Sequence, residues 1–373
     1  MKILILTPWY PDDVRKNHGI FVREQALALA TRHEVVVISS KINYKSFGLS
    51  SYDLAKFEGG NVTEYRLVIK ASFPFYNQLN YFFVSTKVAA KIAHEFNPDI
   101  IHGNIGYPGA FWAWLVSKKT GKKFIVTEHN SNFKNNFRSF FHRWLTVFPM
   151  KQARAVTSVS SHSADQINKY LEKEVRVVPN LIDVDRFSIA PFPIEIKVGF
   201  LGSLESPHHA KGLNILLQII SEVPSKFRVM IGGGGVMLEE YRLQAKSLGI
   251  EDRCCFKGYV NYEEVPMFMN QLSFFVNASK NESFGIAIVE ALASGVPVVC
   301  FNNGGPIDFV NSSNGVLVEN QNISELKESI EWMLKNYLNF DRQKIRDSVV
   351  IKYSRESFLK RIEEVYQSVV NSC

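Results

Sequence analysis

The chain has 373 residues, which at ordinary domain sizes predicts two domains rather than one compact core. Hydrophobic residues make up 46% and charged residues 21% of the chain, which excludes a disordered or fibrous protein. Residues 1–185 contain 24 Lys and Arg against 15 Asp and Glu, so the net charge of +7 belongs to the first half.

The first half of the sequence alternates between short apolar runs and helical periodicity. The pattern predicts strands at 1–7, 34–39, 99–102, 123–127 and 155–158, with helices at 21–30 and 110–118. Strands that alternate with helices pair in parallel, so we expect a doubly wound, Rossmann-like domain over residues 1–180.

An aromatic stripe follows in the same half, and its spacing predicts one helical face. The stripe consists of Phe133, Phe137, Phe140, Phe141, Trp144, Leu145 and Phe148, and Lys134, Arg138, His142 and Arg143 lie beside it. Such a face either packs into a core or lies against an anionic membrane surface, and the basic first half favours the second. The same basic excess also fits an acidic ligand or a general solubility excess.

A second series of the same kind begins after a linker-like segment at 178–187. Strands are predicted at 197–201, 228–231, 254–256, 274–277 and 296–301, with helices at 213–221 and 238–247. The pattern indicates a second Rossmann-like domain over residues 188–350, so the fold class is α/β with two doubly wound domains. We expect their ligands in a crevice at the carboxyl ends of both sheets.

The tail from 324 to 370 is predicted to be helical throughout. Its last part, about 354–373, has an apolar stripe and is predicted to pack back on the first domain. No apolar run reaches the ~18 residues of a spanning helix, and the N-terminus lacks a signal-peptide core, so we expect a cytoplasmic protein.

The segment from Glu282 to Pro297 carries the strongest functional signal. It reads as a loop that enters a short helix, with Gly295 as the residue that ends the helix. The backbone N–H groups at Phe284, Gly285 and Ile286 would be unpaired at the helix start, where they can bind a diphosphate or sugar hydroxyls. Glu290 lies among apolar residues, so it is either a ligand-binding carboxylate or a core-edge one.

This segment resembles the E-x7-E segment of the retaining glycosyltransferases of family 4, which have the two-domain GT-B fold. Further similarities follow in the usual family order along nearly the whole chain. They are Thr7-Pro8 with His18-Gly19, Thr127-Glu128-His129, Val178-Pro179-Asn180 with Arg186-Phe187, Gly199 to Gly202 with Lys211-Gly212, Val229 to Gly234, and Phe256 to Val260.

The resemblance implies that the domain at 1–180 binds the acceptor and the domain at 188–350 binds the nucleotide-sugar. It also implies a role for each matching residue. Glu282 would lie beside the transferred sugar, Glu290 would bind the ribose hydroxyls and Lys211 would neutralise the donor diphosphate, unless it is a surface lysine. The donor-binding positions are Gly19, Ser203, Lys211, Tyr259, Val260, Ser283, Phe284, Gly285, Ile286 and Glu290. The family implies no metal ion and no cofactor.

Three of these positions have particular readings. Ser203 stands where the family commonly has Arg, so that diphosphate contact is either missing or supplied by another group, such as His208 or His209, unless these are solvent-exposed loop histidines. Gly19 either lets the chain approach the diphosphate or is a plain turn glycine. His129 ends a predicted strand, where its imidazole can donate to a sugar hydroxyl of the acceptor or is a loop histidine with a structural partner. Glu282, Lys211 and His129 are the candidate catalytic residues.

The resulting prediction is a retaining, metal-independent hexosyltransferase. It would transfer a sugar from a nucleotide-sugar, with a UDP-sugar favoured over a GDP-sugar, to a glycan or lipid-linked acceptor in cell-surface polysaccharide synthesis, such as lipopolysaccharide or capsule. Contact with the inner face of the cytoplasmic membrane belongs to this prediction. A GT-B sugar-nucleotide epimerase and a basic nucleic-acid or anionic-surface binding protein are the alternatives, although no nucleic-acid module is recognisable and nucleic acid is not an expected partner.

Overall fold

The computed structural model describes residues 1–13, 15–47, 51–71, 73, 76–130, 133, 137, 139–205, 210–224 and 226–371. The chain divides into two compact units. The first consists of Met1–Leu181 with Phe358–Cys373, and the second of Ile182–Ser357. Each unit is built on a largely parallel sheet, which confirms the predicted α/β class. Among the described residues, no helix is both long and apolar enough to span a bilayer.

The first unit contains an eight-stranded sheet with strand order β3-β4-β2-β1-β5-β6-β7-β8. The strands are β1 (Lys2–Thr7), β2 (Glu34–Phe47), β3 (Tyr52–Gly59), β4 (Val62–Ala71), β5 (Ile100–Asn104), β6 (Phe124–Glu128), β7 (Ala155–Ser158) and β8 (Val175–Val177). Neighbouring strands run parallel except for β3, which is antiparallel to β4. The carboxyl ends of the parallel strands therefore lie along one edge of the sheet.

Strand β2 is much longer than the sequence pattern predicts. The prediction ended at Ser39, where pairing with β1 ends at Thr7, but β2 continues to Phe47 because β4 pairs with it beyond that point. The extra residues are mostly polar, so they lack the apolar alternation that marks a strand. The result is a strand that overhangs the carboxyl end of β1.

Helices cover both faces of this sheet. They are α1 (Ile20–Leu29), α2 (Asn77–Phe96), α3 (Phe111–Thr120), α4 (Phe140–Gln152) and α5 (Ser161–Leu171). One core contains Leu4 and Ile101 of the sheet with Ala89 and Trp112 of α2 and α3. The opposite face packs Ile3 and Ile5 against α1 and against residues near the C-terminus.

The aromatic stripe does not form a single helical face. Helix α4 begins at Phe140 because the Ser139 side chain caps it by accepting from the backbone N–H of His142. Phe133 and Leu145 are buried, whereas Phe140 and Phe141 are 85% and 62% exposed. Lys134 and Arg138 lie outside the described residues. The stripe therefore contributes both to the core and to the surface.

The second unit contains a six-stranded parallel sheet with strand order β11-β10-β9-β12-β13-β14. The strands are β9 (Lys197–Leu201), β10 (Arg228–Gly232), β11 (Cys254–Gly258), β12 (Phe274–Asn277), β13 (Val298–Phe301) and β14 (Gly315–Val318). The helices are α6 (Leu213–Glu222), α7 (Leu238–Ser247), α8 (Val265–Met269), α9 (Ile286–Ala293), α10 (Ile323–Asn336) and α11 (Arg342–Tyr353). Because β9, β12 and β13 are adjacent, the loops that follow them meet at the carboxyl edge of the sheet.

The sequence pattern predicted a continuous helical tail, but the structure divides the tail into separate helices. It consists of α10, α11 and a last helix, α12 (Arg355–Val370), and the Asp341 side chain caps α11. Helix α12 buries Phe358, Ile362 and Tyr366 in the core of the first unit, with Ile3 and Ile5. The first unit is therefore assembled from both ends of the chain.

Candidate functional site

The start of α9 is shaped by glycine at the carboxyl edge of the second sheet. Gly285 precedes the helix with φ of 92°, a left-handed conformation that favours glycine. At the other end, Gly295 has φ of 69°, its N–H donates to Leu292 O and the N–H of Val296 donates to Ala291 O. This is a Schellman ending, so the predicted role of Gly295 is confirmed.

The helix start leaves backbone donors available. The first N–H groups of a helix have no acceptor within it, and the helix dipole adds partial positive charge there. Phe284 contributes its backbone only, because its ring is buried against Phe309 and Tyr353. Ser283 and Ile286 on either side are partly exposed. The segment can therefore bind an anion through its backbone.

Glu282 and Lys211 form an ion pair next to this helix start. Lys211 follows β9, Glu282 follows β12, and Lys211 Nζ donates to Glu282 Oε1 at 2.7 Å. Asn277 Nδ2 lies 3.4 Å from the same oxygen. Glu282 is only 9% exposed, whereas the Lys211 side chain is 35% exposed. Lys211 is therefore not a solvated surface lysine, and its ammonium is fixed at the edge of the site.

The ion pair keeps the Glu282 carboxylate charged. Burial alone would raise the pKa of Glu282. The charge and hydrogen bond of Lys211, together with Ser279 and Asn277, outweigh burial and hold that pKa below its ordinary value. The backbone also fixes the residue, since Glu282 N–H donates to Asn303 O and Gly305 N–H donates to Glu282 O. The site thus holds one fixed carboxylate and one fixed ammonium.

Glu290 lies in α9 in a different environment. It is 6% exposed, and no hydrogen bond to its carboxylate is found among the described residues. Burial raises the pKa of Glu290 to about 8, and the charge of Arg186 opposes this rise. A buried carboxyl without a donor is costly in a folded protein. The burial of the Glu290 carboxyl without a hydrogen-bond donor is explained if a ligand supplies the donors.

Arg186 is a further member of the site, and from sequence it matches only the family's interdomain linker. It ends a short 3₁₀ helix at Val184–Arg186, donates to the carbonyl oxygen of Tyr262 and stacks 3.5 Å above the Tyr262 ring. Its Nη1 is buried without a hydrogen-bond partner among the described residues. The family's linker motif could have drawn attention to Arg186, but only the tertiary structure shows that Arg186 lies close enough to Glu290 to affect its pKa.

The remaining donor positions lie around other loops of the second unit. Tyr259 is about half exposed beside Gly234, and Val260 is buried beside Gly232, at the end of β11. Ser203 is exposed, and its hydroxyl lies 3.4 Å from the N–H of Glu205. His208 and His209, considered as substitutes for the missing arginine, lie outside the described residues.

His129 lies in the first unit, directly after β6. Its Nε2 donates to Asn104 Oδ1 at 2.9 Å, its ring centre is 4.6 Å from that of Phe21, and the residue is buried. Burial and the nearby His102 lower the pKa of His129 to about 3, against an opposing effect of Asn180, so the ring is neutral. The Nδ1 atom is buried without a hydrogen-bond partner in the described part of the chain, and a contact of His129 with a sugar hydroxyl stays a prediction.

Glu128 fixes the backbone beside His129. Its carboxylate accepts from the N–H groups of Gly106, His129 and Asn130 at 2.8–2.9 Å. Burial raises the pKa of Glu128 to about 6, although these three backbone donors oppose the rise. Glu128 is therefore a positioning residue for the loop that presents His129.

Gly19 has a clear structural function. It precedes α1 with φ of 70°, and a Cβ there would lie 2.4 Å from the backbone of Trp9. The close approach of two backbone segments therefore requires glycine, whether or not a ligand is present.

In the described residues, no group of three His, Cys, Asp or Glu side chains is arranged to hold a metal ion.

Comparison with known families gives two adjoining matches that span most of the chain. Residues 18–186 match the model described as Glycosyltransferase Family 4, and residues 183–356 match the model described as Glycosyl transferases group 1. The second match contains Lys211, Glu282 and Glu290, and the first contains His129.

Individual relatives agree with these matches. The N-acetyl-alpha-D-glucosaminyl L-malate synthase of Bacillus anthracis is 25% identical, over 99% of this chain and 98% of the relative. Sucrose-phosphate synthase from Thermosynechococcus elongatus superposes with a TM-score of 0.80 at 16% identity, over 99% of both chains. The Anabaena protein HepE, crystallised with UDP and glucose, has a TM-score of 0.76 at 21% identity, over 99% of this chain and 100% of that one.

Proposed function

The chain belongs to family 4 of the glycosyltransferases, which have the GT-B fold, and we propose that it transfers a hexose, with retention of anomeric configuration, from a UDP-sugar to a glycan or lipid-linked acceptor. The observation that carries this proposal is the Lys211–Glu282 ion pair next to the start of α9, the helix that follows Gly285 and contains Glu290. We further propose that the reaction belongs to cell-surface polysaccharide synthesis.

Each part of a nucleotide-sugar finds a chemically suited group in the second unit. The ribose hydroxyls donate to the Glu290 carboxylate, which lacks donors among the described residues and can accept from two adjacent hydroxyls. The diphosphate binds the backbone N–H groups at the start of α9 and the Lys211 ammonium. Glu282 accepts from hydroxyls of the transferred sugar.

The chemistry follows from charge placement. As the glycosidic bond breaks, negative charge grows on the leaving diphosphate, and Lys211 with the helix start stabilises it in the transition state. The acceptor hydroxyl attacks the anomeric carbon on the face that the diphosphate leaves, and its proton passes to the leaving phosphate. No protein nucleophile is required. The described residues offer a cation for the diphosphate, so the proposal invokes no metal.

The choice of UDP rests on relatives. The Anabaena structure holds UDP and glucose, and the Bacillus anthracis relative is by its name an N-acetyl-alpha-D-glucosaminyl L-malate synthase. These resemblances favour UDP and a hexose over GDP for this chain. The half-exposed Tyr259 and the buried Val260 are the side chains proposed beside the base.

The lipid-linked acceptor is supported by the surface of α4. Phe140, Phe141 and Trp144 are exposed there, and the rings of Phe141 and Trp144 are stacked with centres 6.2 Å apart. Exposed aromatic side chains on a basic domain favour contact with an anionic leaflet. We therefore propose peripheral binding to the cytoplasmic membrane face, with the protein itself in the cytoplasm.

The donor site is tested first by nucleotide binding. We expect UDP to raise the melting temperature of the wild type, with GDP, ADP and NAD ineffective, and we expect Glu290→Ala to abolish the effect. Glu240→Ala, on the exposed face of α7, is the matched control and keeps the response. No stabilisation by any nucleotide would contradict the donor assignment.

Transfer is tested with UDP-glucose and UDP-N-acetylglucosamine against a panel of glycan and lipid-linked acceptors. The expected result is acceptor-dependent release of UDP with a product of unchanged anomeric configuration. Conversion of the donor sugar without an acceptor would instead identify an epimerase. Salt-dependent retention on DNA without UDP binding would identify a nucleic-acid binding protein.

A further inference from the structure

The first unit contains a cavity of about 810 Å³ that the proposed donor site does not use. Its lining includes Trp9 in the loop after β1, Lys41 and Tyr44 in the overhanging part of β2, and Tyr107 in the turn after β5. The cavity therefore lies at the carboxyl edge of this unit's sheet. Ligands of open α/β sheets bind at that edge.

The overhang of β2 is what creates one wall of the cavity. Strand β1 ends at Thr7, whereas β2 continues past Ser39 because β4 pairs with it through Asn43 and Lys70. The side chains of this overhang are largely polar, as expected of a wall that contacts a polar ligand. In this overhang Ile42 also packs against the core, whereas Lys41, Asn43 and Tyr44 line the cavity beyond the end of β1.

Positive charge exceeds negative charge in the described part of the lining. Lys41 Nζ donates to Asp12 Oδ2 at 2.8 Å, and Arg15 Nη2 lies 3.3 Å from the same oxygen. The single carboxylate of Asp12 therefore pairs with the two cations Lys41 and Arg15. His18 also lines the cavity and adds no negative charge. Both cationic side chains are about half exposed, so they reach the cavity as well as Asp12.

The rest of the lining suits a sugar. The rings of Trp9 and Tyr107 offer flat apolar surfaces for the C–H face of a pyranose. Gln78 also lines the cavity: its Oε1 accepts from the Tyr107 hydroxyl at 2.8 Å, and its amide N–H groups can donate to a sugar hydroxyl. A volume of this size accommodates a monosaccharide or disaccharide with a charged substituent. The combination of rings, an amide and excess cations selects a ligand that is both a sugar and an anion.

We propose that this cavity binds the acceptor, and that the acceptor is a sugar carrying a phosphate or carboxylate that lies against Lys41 and Arg15. This inference rests on the proposed function, because it assigns the second substrate of the same transfer reaction. The shared chemistry is an anionic sugar, which occurs both free and at the head of a lipid-linked glycan.

The test measures binding of three small sugars to the full-length protein by calorimetry, with saturating UDP present to occupy the donor site. Glucose 1-phosphate and glucuronic acid carry the anion, and methyl α-glucoside does not. At low ionic strength, we expect either anionic sugar to bind at least about tenfold more tightly than methyl α-glucoside. Equal affinities, or no binding by any of the three at millimolar concentrations, would overturn the proposal.

Variants locate the binding. Lys41→Gln and Arg15→Gln each reduce the affinity for the preferred anionic sugar by about tenfold and leave methyl α-glucoside unchanged, whereas Lys119→Gln on the exposed end of α3 changes neither. Anionic binding that survives both substitutions overturns the assignment to this cavity. Arg15→Gln provides the test if Lys41→Gln fails to fold.

The same preparations separate the two levels of inference. If UDP binds and the anionic sugars do not, the acceptor assignment fails alone. If UDP itself does not bind, the proposed function fails. A chemically defined lipid-linked sugar phosphate that binds more tightly than glucose 1-phosphate would identify the lipid-linked source, and equal affinity would identify the free one.

Discussion

The two glutamates of the motif are held in opposite electrostatic states. Glu282 has an ammonium at 2.7 Å, whereas Glu290 is buried with no donor among the described residues. Burial raises the pKa of Glu290 to about 8, whereas Lys211 keeps the pKa of Glu282 below its usual range despite burial. Ionising Glu290 therefore costs free energy of folding, whereas Glu282 is ionised beside its cation.

This difference predicts how stability depends on pH. A carboxyl whose folded pKa exceeds its unfolded pKa stabilises the protein at low pH, and that contribution is lost as pH rises through the folded value. For Glu290 the loss falls between about pH 4.5 and pH 8 and amounts to a few kcal/mol. In Glu290→Gln, urea denaturation should show a flatter decline of the free energy of unfolding over this range.

The control for this prediction is Glu239→Gln, at an exposed position in α7. It should retain the wild-type decline. Glu128, whose pKa burial raises to about 6, contributes to the decline in every variant, so only the difference between variants is informative. If the free energy of unfolding depended on pH identically in the wild type and in Glu290→Gln, the pKa of Glu290 would not be raised in the folded protein.

The ion pair permits a second prediction at the residue scale. Lys211→Met leaves the Glu282 carboxylate buried without its cation, so we expect a loss of about 1–3 kcal/mol in the free energy of unfolding, reduced from the fully buried case because Lys211 is partly exposed. Adding Glu282→Gln should recover part of this loss. A double-mutant cycle measures the coupling, and a coupling near zero would contradict a structural ion pair.

At the scale of elements, the two glycines that flank α9 are expected to have different roles: Gly285 in ligand binding and fold, and Gly295 in the fold alone. Gly285→Ala forces a Cβ onto φ of 92° at the proposed diphosphate site, and Gly295→Ala does the same at φ of 69° where the helix ends. Gly285→Ala should lose about 1–2 kcal/mol of stability. Gly295→Ala should lose more, because its Cβ would also lie 2.8 Å from the backbone oxygen of Arg342. Only Gly285→Ala should also weaken UDP binding, measured by calorimetry. Equal weakening by both would indicate that the helix start has no special role.

Helix α4 carries the prediction for membrane contact. Replacing the exposed Phe140 and Phe141 together with Ser should reduce cosedimentation with anionic vesicles at low ionic strength, and UDP binding should not change. Phe83→Ser, an exposed aromatic on α2, is the matched control. Failure of the wild type to sediment with such vesicles would remove the membrane part of the proposal.

The sequence predicted the elements whose signals are local. The αL glycine and the Schellman residue bound α9, and alternating apolar runs marked the central strands of both sheets. The overhang of β2 was missed because the polar residues after Ser39 pair with β4, 27 residues further along the chain, and lack the apolar alternation of a strand. The breaks in the tail were missed although Asp341 and Ser354 are residues of the kind that cap or end helices.

Burial was the property that sequence could least predict. His102 has no local signal for a buried polar role, because its partner Tyr366 is 264 residues away in α12. Arg186 near Glu290 and the cavity beside Lys41 likewise depend on tertiary packing. The candidate residues of the donor site were found from the family motif, whereas their charge states required the fold.

At the scale of the whole molecule, the first unit needs the end of the chain. Helix α12 completes one of its cores, and the Tyr366 hydroxyl lies 2.8 Å from Nδ1 of buried His102, whose Nε2 is 2.7 Å from Thr127 Oγ1. Burial lowers the pKa of His102 to about 3, so the ring is neutral and takes part in a chain of uncharged hydrogen bonds. The proposed UDP site belongs to the other unit.

This division predicts which unit responds to which change. Tyr366→Phe leaves a buried nitrogen of His102 without its partner, so the first unit should lose about 1–3 kcal/mol, while UDP should stabilise only the second unit. Calorimetric scans of the full chain should therefore show one transition lowered by Tyr366→Phe and a different transition raised by UDP. Tyr76→Phe, at an exposed position, should alter neither. A single transition that shifts with both changes would show that the two units unfold together, because their cores would then act as one cooperative structure.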